Sequence, residues 1–345
     1  MKYAEQATQY LKLFSNCFVT KGVIRSIIVD GYRGGFEFIP NDLGDLLQEA
    51  EQYTIGELYT QYGEENYPAI DEYIDYLLEK ELVFMVSAAE KSCFPALSME
   101  WRFPGKIANA ILDVGAAQSY DLPAVLQQLD ELQCLALQVR LFAPQSLEWL
   151  ENLLKACSSL TFESINLFLP YDSLLDEERL LYLALAHQKI ASIVVHGAPE
   201  TRRIRHEAID KLAGLFYIET PIVDESHCGV TLPEYFSANL LHYTESLAAN
   251  TCLNHKIAVD RFGNIKNCPS MIESYGHANE VSLKAALAAE GFKTKWSIKK
   301  EQIDVCQVCE FRHICTDCRG YLAEPANVYS KPAKCSYDPY VGVWN

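Results

Sequence analysis

Apolar positions in the first part of the chain follow a strand-like period and then a helical one. Three short runs rich in β-branched and aromatic side chains predict three strands, over residues 17–20, 23–29 and 36–39. Helical spacing follows, with a first helix capped by Asn41, a second whose Thr54 forms a capping box with Glu57, and a third. A closing strand over residues 82–86 completes the elements of a small winged-helix domain, which we place at residues 1–90.

Beyond residue 90, apolar runs alternate with helically spaced stretches. Six runs predict strands, over residues 97–101, 107–114, 134–142, 164–169, 190–196 and 215–219. Four stretches between them predict helices, over residues 122–132, 146–157, 175–187 and 203–212. This alternation predicts an α/β fold of parallel units in an open or partial barrel over residues 91–225. Only residues 102–106 separate the first two runs, so we expect that pair to form a hairpin or a truncated unit.

A short bridge and a cysteine-rich domain follow. Residues 226–250 contain a helically spaced run, and we expect this bridge to pack across the mouth of the barrel. Seven of the twelve cysteines lie in the final domain, residues 251–345. They are Cys252, Cys268, Cys306, Cys309, Cys315, Cys318 and Cys335. A turn of hairpin composition at residues 260–264 would bring Cys252 and Cys268 together.

The spacing of these cysteines indicates metal. Two residues separate Cys306 from Cys309, and two separate Cys315 from Cys318. Thiolates at this spacing bind one metal centre, and a cysteine from a distant loop completes the shell. The alternative is a disulfide-stapled module. Residues 1–6 show no secretory signal, so we expect a cytoplasmic protein, and clustered cysteines in a reducing compartment are more often metal ligands.

The negative charge of the chain is concentrated before residue 250. From Asn250 onward 12 Lys and Arg face 10 Asp and Glu, whereas the whole chain has 29 basic and 46 acidic residues. An acidic front part repels phosphate backbones, so we expect no nucleic-acid partner. Apolar runs such as residues 190–195 are too short to cross a bilayer, so we expect no membrane partner either.

The order of the cysteines resembles the SPASM domain of radical S-adenosylmethionine peptide maturases. The spacings agree at every element but one, since two residues rather than three separate Cys315 and Cys318. Stretches that look like this family are residues 256–260, 263–269, 309–312, 314–319 and 330–332. The first domain resembles the PqqD-like elements that bind leader peptides. The whole order resembles the maturases of grasp-with-spasm systems, which partner an ATP-grasp ligase and a precursor peptide.

The resemblance implies two iron–sulfur clusters, expected to be [4Fe-4S], with interleaved ligands. Carried over position by position, the outer cluster would be held by Cys306, Cys309, Cys315 and Cys335. The inner cluster would be held by Cys252, Cys268 and Cys318. Its fourth position is left open between Cys228 from the bridge, His255, and a free site for a substrate or small thiol. Zinc is the alternative metal, bound by the two consecutive cysteine pairs.

The motif that defines the radical enzymes is missing from this chain. In those enzymes a C-x3-C-x2-C loop follows the first barrel strand, and here no cysteine lies between Cys93 and Cys134. We expect the corresponding loop at residues 102–106, and residues 115–118 stand in place of the family's glycine-rich run. The barrel therefore resembles a degenerate radical-SAM-like (β/α)6 barrel. We expect no cleavage of S-adenosylmethionine and assign no catalytic residue.

The front domain is the expected peptide site. A peptide can add a strand to an exposed sheet edge, and we expect that edge within residues 18–29. The expected contacts are Val23, Ile24, Ile27 and Val29. Alternatively, the domain is a structural cap for the barrel.

These features favour a maturation protein for a ribosomally synthesised, post-translationally modified peptide. It would bind the precursor, carry auxiliary iron–sulfur clusters and act with an ATP-grasp ligase. Two alternatives stay open. One is a cluster-dependent enzyme that modifies the peptide, and the other is a zinc-stapled adaptor.

Overall fold

The computed structural model describes residues 1–205 and 214–345. Its front part consists of β1 (Tyr10–Leu13), β2 (Cys17–Lys21), β3 (Ser26–Asp30), β4 (Gly35–Ile39), α1 (Asn41–Ala50), α2 (Ile55–Tyr62), α3 (Tyr67–Glu79) and β5 (Val83–Val86). Strands β2, β3 and β4 form an antiparallel sheet in that order, and β1 pairs with β5. The sequence pattern did not predict β1, because its four residues are too short a run to show a period.

The three-stranded sheet is covered on both faces. Ile28, in the middle of β3, packs against the helices of the front part. Its neighbours Ile27 and Val29 point the other way and pack with Phe311 from the cysteine-rich part. All three β3 side chains are 0% exposed. The sheet is thus a layer between the helices and the cysteine-rich part.

Of the edge expected within residues 18–29, only the part in β2 is an edge strand of the sheet, whereas residues 23–29 are not an edge. Strand β3 is central, and its main-chain groups pair with β2 on one side and β4 on the other. It begins only at Ser26, so that Val23 and Ile24 lie in the preceding turn. The N–H of Val23 donates instead to the carbonyl of Val308 at 2.9 Å.

The first two helices begin differently. Thr54 accepts a hydrogen bond from the N–H of Glu57, and the Glu57 carboxylate accepts one from the N–H of Thr54 at 2.7 Å, which confirms the capping box. Helix α1 has Pro40 at its N-cap, and Asn41 is its first residue. The Asn41 side chain accepts a hydrogen bond from Ser26 Oγ at 2.7 Å. The prediction that Asn41 caps the helix is therefore wrong, because its amide is tied to the sheet.

The remaining elements build one large sheet and its surroundings. They are β6 (Asn109–Val114), α4 (Leu122–Glu131), β7 (Ala136–Leu141), α5 (Leu147–Ser158), β8 (Ser164–Pro170), α6 (Glu177–Ala186), β9 (Ile190–His196), β10 (Arg202–Ile204), β11 (Gly214–Ile218), α7 (Leu240–Ala248), β12 (Lys256–Val259), β13 (Ile265–Lys266), α8 (Leu283–Ala288), β14 (Tyr337–Asp338) and β15 (Val343–Trp344). The sheet order is β10-β11-β9-β8-β7-β6-β12-β13. The strands from β11 to β12 run parallel, which confirms a mixed α/β fold with a large parallel sheet.

The first predicted barrel strand, residues 97–101, is wrong. Residues 94–108 form no regular helix or strand, and the side chain of Leu97 is 37% exposed. The outer side of β6 pairs instead with β12, whose Ile257 and Val259 are each 1% exposed. A strand from the cysteine-rich part therefore takes this place in the sheet, and the expected hairpin or truncated unit does not form.

The last helix predicted for the barrel, over residues 203–212, does not begin as predicted. Residues Arg202–Ile204 form β10, which is antiparallel to β11. The Arg203 guanidinium lies 5.4 Å from the ring centre of Phe216, a cation–π contact across the two strands. Most of the predicted helix over residues 203–212 lies within residues 206–213, which are outside the described residues.

The two faces of the large sheet differ in polarity. One packs against α4, α5, α6 and α8 in the main hydrophobic core. The opposite face carries polar side chains, including Asn166 on β8, whose amide oxygen accepts a hydrogen bond from Ser192 on β9 at 2.6 Å. Asp113 on β6 is 0% exposed there and accepts hydrogen bonds from Arg140 on β7 at 2.6 and 2.7 Å.

The bridge contacts both the sheet and the front part. Its helix α7 has the bounds that the sequence predicts. Tyr243 on α7 stacks on Phe18 of β2, with ring centres 4.5 Å apart, and lies 5.1 Å from the ring of His313. Before the bridge, the N–H of Ile222 donates to His196 Nδ1 at 3.1 Å, at the end of β9. Helix α7 thus packs between the front sheet and the cysteine-rich part.

Replacing Asp113 by Asn should destabilise the fold, because Arg140 would keep its charge in a buried place without a counter-ion. We expect a loss of about 3–5 kcal/mol in the free energy of unfolding, measured by urea denaturation with circular dichroism. The double variant Asp113→Asn, Arg140→Met should recover most of that loss. Glu100→Gln, which breaks an exposed ion pair with Arg102, is the control and should cost less than about 1 kcal/mol. A loss at Asp113 no larger than in this control would contradict the prediction.

Candidate metal centres

The hairpin of the cysteine-rich part extends the large sheet. Strand β13 pairs antiparallel with β12, as the composition of residues 260–264 predicts. The Asp260 carboxylate accepts a hydrogen bond from the N–H of Asn264 at 2.9 Å, which closes the turn. Gly263 has a φ of 85°, and a Cβ at this position would lie 2.3 Å from Nε2 of His277. The turn therefore requires glycine.

Cys252 and Cys268, on either side of this hairpin, share a buried region with two other thiols. Burial raises the pKa of Cys252 to about 12, a net rise that Lys256 reduces and to which the charges of Cys268, Cys318 and Cys228 contribute. Burial also raises the pKa of Cys268, and Cys228 and Cys318 add to the rise. We call Cys228, Cys252, Cys268 and Cys318 the inner thiol group.

Cys228 is the member of the inner thiol group that comes from the bridge. The next residue, Gly229, lies so close to Cys318 that a side chain there would not fit. Gly229 has a φ of 84°, and a Cβ there would lie 2.7 Å from Sγ of Cys318. The carbonyl of Cys228 accepts a hydrogen bond from Lys334 Nζ at 2.8 Å. Tyr321, just after Cys318, packs under the same lysine, whose Nζ lies 4.1 Å from the ring centre. The bridge and the segment after Cys318 are therefore packed together around these thiols.

Two cations face the inner thiol group. Lys256 Nζ donates to Sγ of Cys252 at 3.7 Å. Burial by itself would lower the pKa of Lys256, but the charges of Cys252, Cys268 and Cys228 raise it. Arg140, which is hydrogen-bonded to Asp113, also lies close enough for the charges of Cys228 and Cys268 to raise its pKa. The inner thiol group therefore lies near the carboxyl ends of β6 and β7, and its cations favour thiolates, the form that binds metal.

A second set of thiols comes from the last segments of the chain. We call Cys306, Cys309, Cys315 and Cys335 the outer thiol group. Burial raises the pKa of Cys315 to about 11, and the charges of Cys335 and Cys306 raise it further. Burial also raises the pKa of Cys309, with smaller contributions from Cys315 and Cys306. Lys300 is only 5% exposed, and its Nζ donates to Sγ of Cys315 at 3.7 Å.

A buried polar network joins the two thiol groups. Asp317 is 1% exposed and lies 3.8 Å from Nζ of Lys300, beside the outer group. Its other carboxylate oxygen accepts a hydrogen bond from the Asn250 amide at 2.6 Å. The side-chain oxygen Oδ1 of Asn250 accepts a hydrogen bond from the N–H of Cys252 at 3.0 Å. The position of the inner loop is therefore tied to the outer group through two side chains.

The charged and amide residues around the thiols were missing from the sequence-based expectations. Lys256 follows Cys252 by one helical turn's spacing, and Asp317 directly precedes Cys318, so proximity in sequence was the one available signal for them. Arg140 gives no such signal, since it belongs to a strand distant in sequence from the cysteines.

Two histidines near the cysteines, His255 and His313, contact other groups. His255 was an alternative fourth ligand, but its Nδ1 lies 3.0 Å from the carbonyl of Lys106. Its ring centre is 4.9 Å from that of Trp296. The Nδ1 of His313 lies 2.9 Å from Ser246 Oγ, and burial lowers the pKa of His313 to about 3.

All twelve cysteines are free thiols. Across residues 1–205 and 214–345, no three His, Cys, Asp or Glu side chains converge closely enough to hold a single metal ion. In the same residues, no helix combines the length and the apolar character needed to cross a membrane.

The front sheet has two edge strands, β2 and β4, and β4 is the more exposed of them, since Cys17, Phe18 and Thr20 of β2 are buried. Within the described part of the chain β4 pairs only with β3, which leaves one row of its main-chain groups without a strand partner. Glu37 on this strand accepts hydrogen bonds from Tyr76 at 3.2 Å and Lys80 at 3.1 Å, both from the α3 side. Of the expected peptide contacts, Ile27 and Val29 are buried, whereas Val23 and Ile24 are 43% and 45% exposed but outside any strand.

Among the solved structures that match this chain are two of the protein SuiB. The crystal structure of Streptococcus suis SuiB bound to S-adenosylmethionine matches with 11% identity and a TM-score of 0.34. The structure of SuiB bound to precursor peptide SuiA matches with 10% identity and a TM-score of 0.36. Each match covers 90% of this chain and 96% of the SuiB chain. No family model and no curated protein matches. With so low an identity and TM-score, neither match supports a statement about function.

Replacing Gly229 by Ala should disturb the inner thiol group, because the new Cβ would meet Sγ of Cys318 at 2.7 Å. We expect a lower melting temperature and faster alkylation of Cys318, measured by mass spectrometry of the labelled peptides. Gly34→Ala is the matched control, since Gly34 also has a positive φ, 76°, but nothing lies within 4 Å of its Cβ position. The control should cost only the backbone strain, about 1 kcal/mol. Equal effects in the two variants would show that the contact with Cys318 is unimportant.

Proposed function

We propose that this chain is a maturation protein for a ribosomally synthesised, post-translationally modified peptide. It binds the precursor through its front part, carries two iron–sulfur clusters and acts with an ATP-grasp ligase. The observation that carries the proposal is the separation of eight thiols into two groups whose members interleave along the chain. A zinc knuckle would instead combine Cys315 with Cys318, whereas Cys318 lies with the inner thiol group.

Each thiol group supplies four ligands for one cluster. The outer cluster is assigned to Cys306, Cys309, Cys315 and Cys335, and the inner cluster to Cys228, Cys252, Cys268 and Cys318. Four thiols in a largely buried region suit [4Fe-4S], and Lys300 and Lys256 beside them favour the thiolate form. When bound, such clusters supply one-electron chemistry. Ligation by Cys228 would complete the inner cluster, which favours a structural or electron-transfer role over an open iron.

A cluster-dependent enzyme is the second candidate function. The position of the inner thiol group favours it, because ligands of open α/β sheets bind beyond the carboxyl ends of the strands. Arg140 places this group at the ends of β6 and β7, next to the polar face of the sheet. A peptide lying on that face and reaching the inner cluster would also pass polar side chains such as Asn166 and Ser192.

The proposal includes no cleavage of S-adenosylmethionine. The first strand of the large sheet is β6, so the loop that corresponds to the radical motif is residues 115–121 rather than the expected residues 102–106. Neither loop contains a cysteine. The three thiolates that would hold a cofactor-binding cluster at this position are therefore missing from the sequence.

Precursor binding is assigned to the edge of β4. Its unpaired main-chain groups can accept one added strand, which supplies affinity, while side chains on both faces supply specificity. Helix α3 flanks this edge through the contacts of Tyr76 and Lys80 with Glu37. In the proposal this edge takes the place of the expected contacts Ile27 and Val29, which are buried, whereas Val23 and Ile24 are exposed in the turn before β3.

Anaerobic purification followed by iron and sulfide analysis tests the cluster assignment. We expect about eight irons per chain and a broad visible absorption band. Cys335→Ala should remove about four irons from the outer cluster, and Cys252→Ala and Cys228→Ala should each remove about four from the inner one. Cys157→Ala is the control, because Cys157 is a buried thiol outside both groups, and it should keep the full iron content.

Two results would contradict this assignment. A colourless protein that holds zinc even after anaerobic reconstitution with iron and sulfide would favour the zinc-stapled adaptor. A Cys228→Ala variant with unchanged iron would leave the inner cluster with three protein ligands and an open position.

Strand addition at β4 is tested with modified precursor peptides, which avoids changing the fold of the protein. N-methylation at every second residue removes hydrogen-bond donors from one side of an extended peptide. One set of alternate N-methyl groups should abolish binding in fluorescence anisotropy, and the complementary set should bind like the unmodified precursor. Equal affinities of the two sets would rule out strand addition.

A further inference from the structure

The free edge of β4 separates two surfaces of different chemistry. Side chains alternate between the faces of a strand, so Phe36 and Phe38 point toward the cysteine-rich part, whereas Glu37 points toward α3. A strand added beside β4 would present its own side chains to these two surfaces in turn. The chemistry of these two surfaces therefore determines which two kinds of side chain should alternate along a bound peptide.

The first surface is apolar and held in place. Phe38 is 46% exposed, and the guanidinium carbon of Arg25 lies 3.8 Å from its ring centre. Arg25 is fixed from behind, since Nε donates to Glu310 at 2.7 Å and Nη2 donates to the Tyr337 hydroxyl at 3.0 Å. Glu310 is 0% exposed, so this support belongs to the interior of the cysteine-rich part. Phe38 thus offers an exposed ring with little freedom to lose on binding.

This apolar surface continues beyond the sheet. A Cβ on Gly342 would lie 2.6 Å from Cδ1 of Ile24 and 3.7 Å from the Arg25 guanidinium, so the C-terminal strand lies against the turn before β3. The side chains on either side of Gly342 are exposed, Val341 by 61% and Val343 by 46%, and Ile24 is 45% exposed. Exposed apolar residues from three separate segments thus adjoin the end of β4. These residues are grouped around the Arg25 guanidinium, which contacts both the Phe38 ring and the Gly342 position, and such groups of exposed apolar side chains mark binding surfaces.

The second surface, on the α3 side, is acidic. Burial raises the pKa of Tyr73, and the nearby charges of Asp42 and Glu72 raise it further, which places both carboxylates beside this tyrosine of α3. Glu37 adds a third carboxylate along the strand, although Lys80 pairs with it. The front part as a whole is rich in Asp and Glu. Basic or polar side chains would therefore be favoured on this side of a bound strand.

We propose that β4 and the adjoining apolar surface of Phe38, Ile24, Val341 and Val343 bind an extended peptide segment in which apolar residues alternate with basic ones. The apolar side chains lie over Phe38 and the C-terminal strand, and the basic side chains face the carboxylates near α3. This inference rests on the proposed function, in which the occupant is the precursor peptide. Because the surface includes residues near both ends of the chain, the cysteine-rich part takes part in recognition.

The test uses two fluorescein-labelled peptides of the same composition. In one, Leu and Lys alternate, and in the other the Leu and Lys residues are grouped in two blocks. The alternating peptide should bind at least about tenfold more tightly in anisotropy titrations, because both sets of side chains reach their surfaces only in that order. Equal binding of the two peptides would show a purely electrostatic attraction and overturn the inference.

Variants of the apolar surface identify where the peptide lies. Phe38→Glu and Val343→Glu should each weaken the alternating peptide by about tenfold or more. Leu241→Glu is the matched control, since Leu241 is 75% exposed on α7, and it should leave binding unchanged. Circular dichroism checks that each variant is folded. The two test positions lie on separate elements, so loss of folding in one leaves the other informative.

The natural precursor separates this inference from the proposed function. If the precursor binds wild type, Phe38→Glu and Val343→Glu alike, the alternation is wrong while precursor binding stands. If the precursor does not bind the iron-loaded wild type at all, the proposed function itself fails. A protein partner, rather than a peptide, would be indicated by the failure of both model peptides together with lost ligase association in Phe38→Glu, and that result also overturns the inference.

Discussion

The burial of cysteine thiols beside two lysines is the constraint on which the second half of the chain depends. Lys256 and Lys300 face Cys252 and Cys315 at 3.7 Å, and a buried ammonium group is costly unless an opposite charge is near. The thiols come from the bridge, the hairpin, the close-spaced cysteines and the final segment. Bringing them together therefore determines where all four of these segments lie. Asp317 completes the arrangement by linking the outer group to the inner loop.

The same region also supports the front part. Phe311 lies between two proposed ligands, Cys309 and Cys315, and packs under the sheet face that carries Ile27 and Val29. Arg25 reaches from the turn before β3 to the fully buried Glu310. Such a partly buried contact between an arginine and a carboxylate is specific in its geometry. The proposed metal ligands and the front sheet are consequently connected through directly packed residues.

The large sheet is also connected to the inner thiol group. Its helix-covered face is a conventional apolar core, whereas its other face places Asp113 and Arg140 near the inner thiol group. Strand β12 belongs to the hairpin that carries Cys252 and Cys268 on its flanks, and it pairs with β6. The backbone hydrogen bonds of the sheet thus help to position the thiols. In this way one hairpin supplies a strand of the large sheet and has two of the proposed ligands on its flanks.

Local patterns in the sequence determined much of this protein. The alternation of strands and helices from β6 to α6, the capping box of Thr54 and the turn around Gly263 all depend on residues close in sequence, and each has the predicted form. The interleaved ligand scheme that the family resemblance implies for the cysteines stays a prediction. What the tertiary structure decided were the pairings over long distances. Residues 97–101 form no strand because β12 pairs with the outer side of β6, and Val23–Val29 are not an edge because β4 covers β3. Cys228 joins the inner thiols because Gly229 allows close approach to Cys318, and Arg140 faces them because β7 adjoins β6. Contacts of this kind depend on which surfaces compete for the same partner, and no short segment of sequence contains that information.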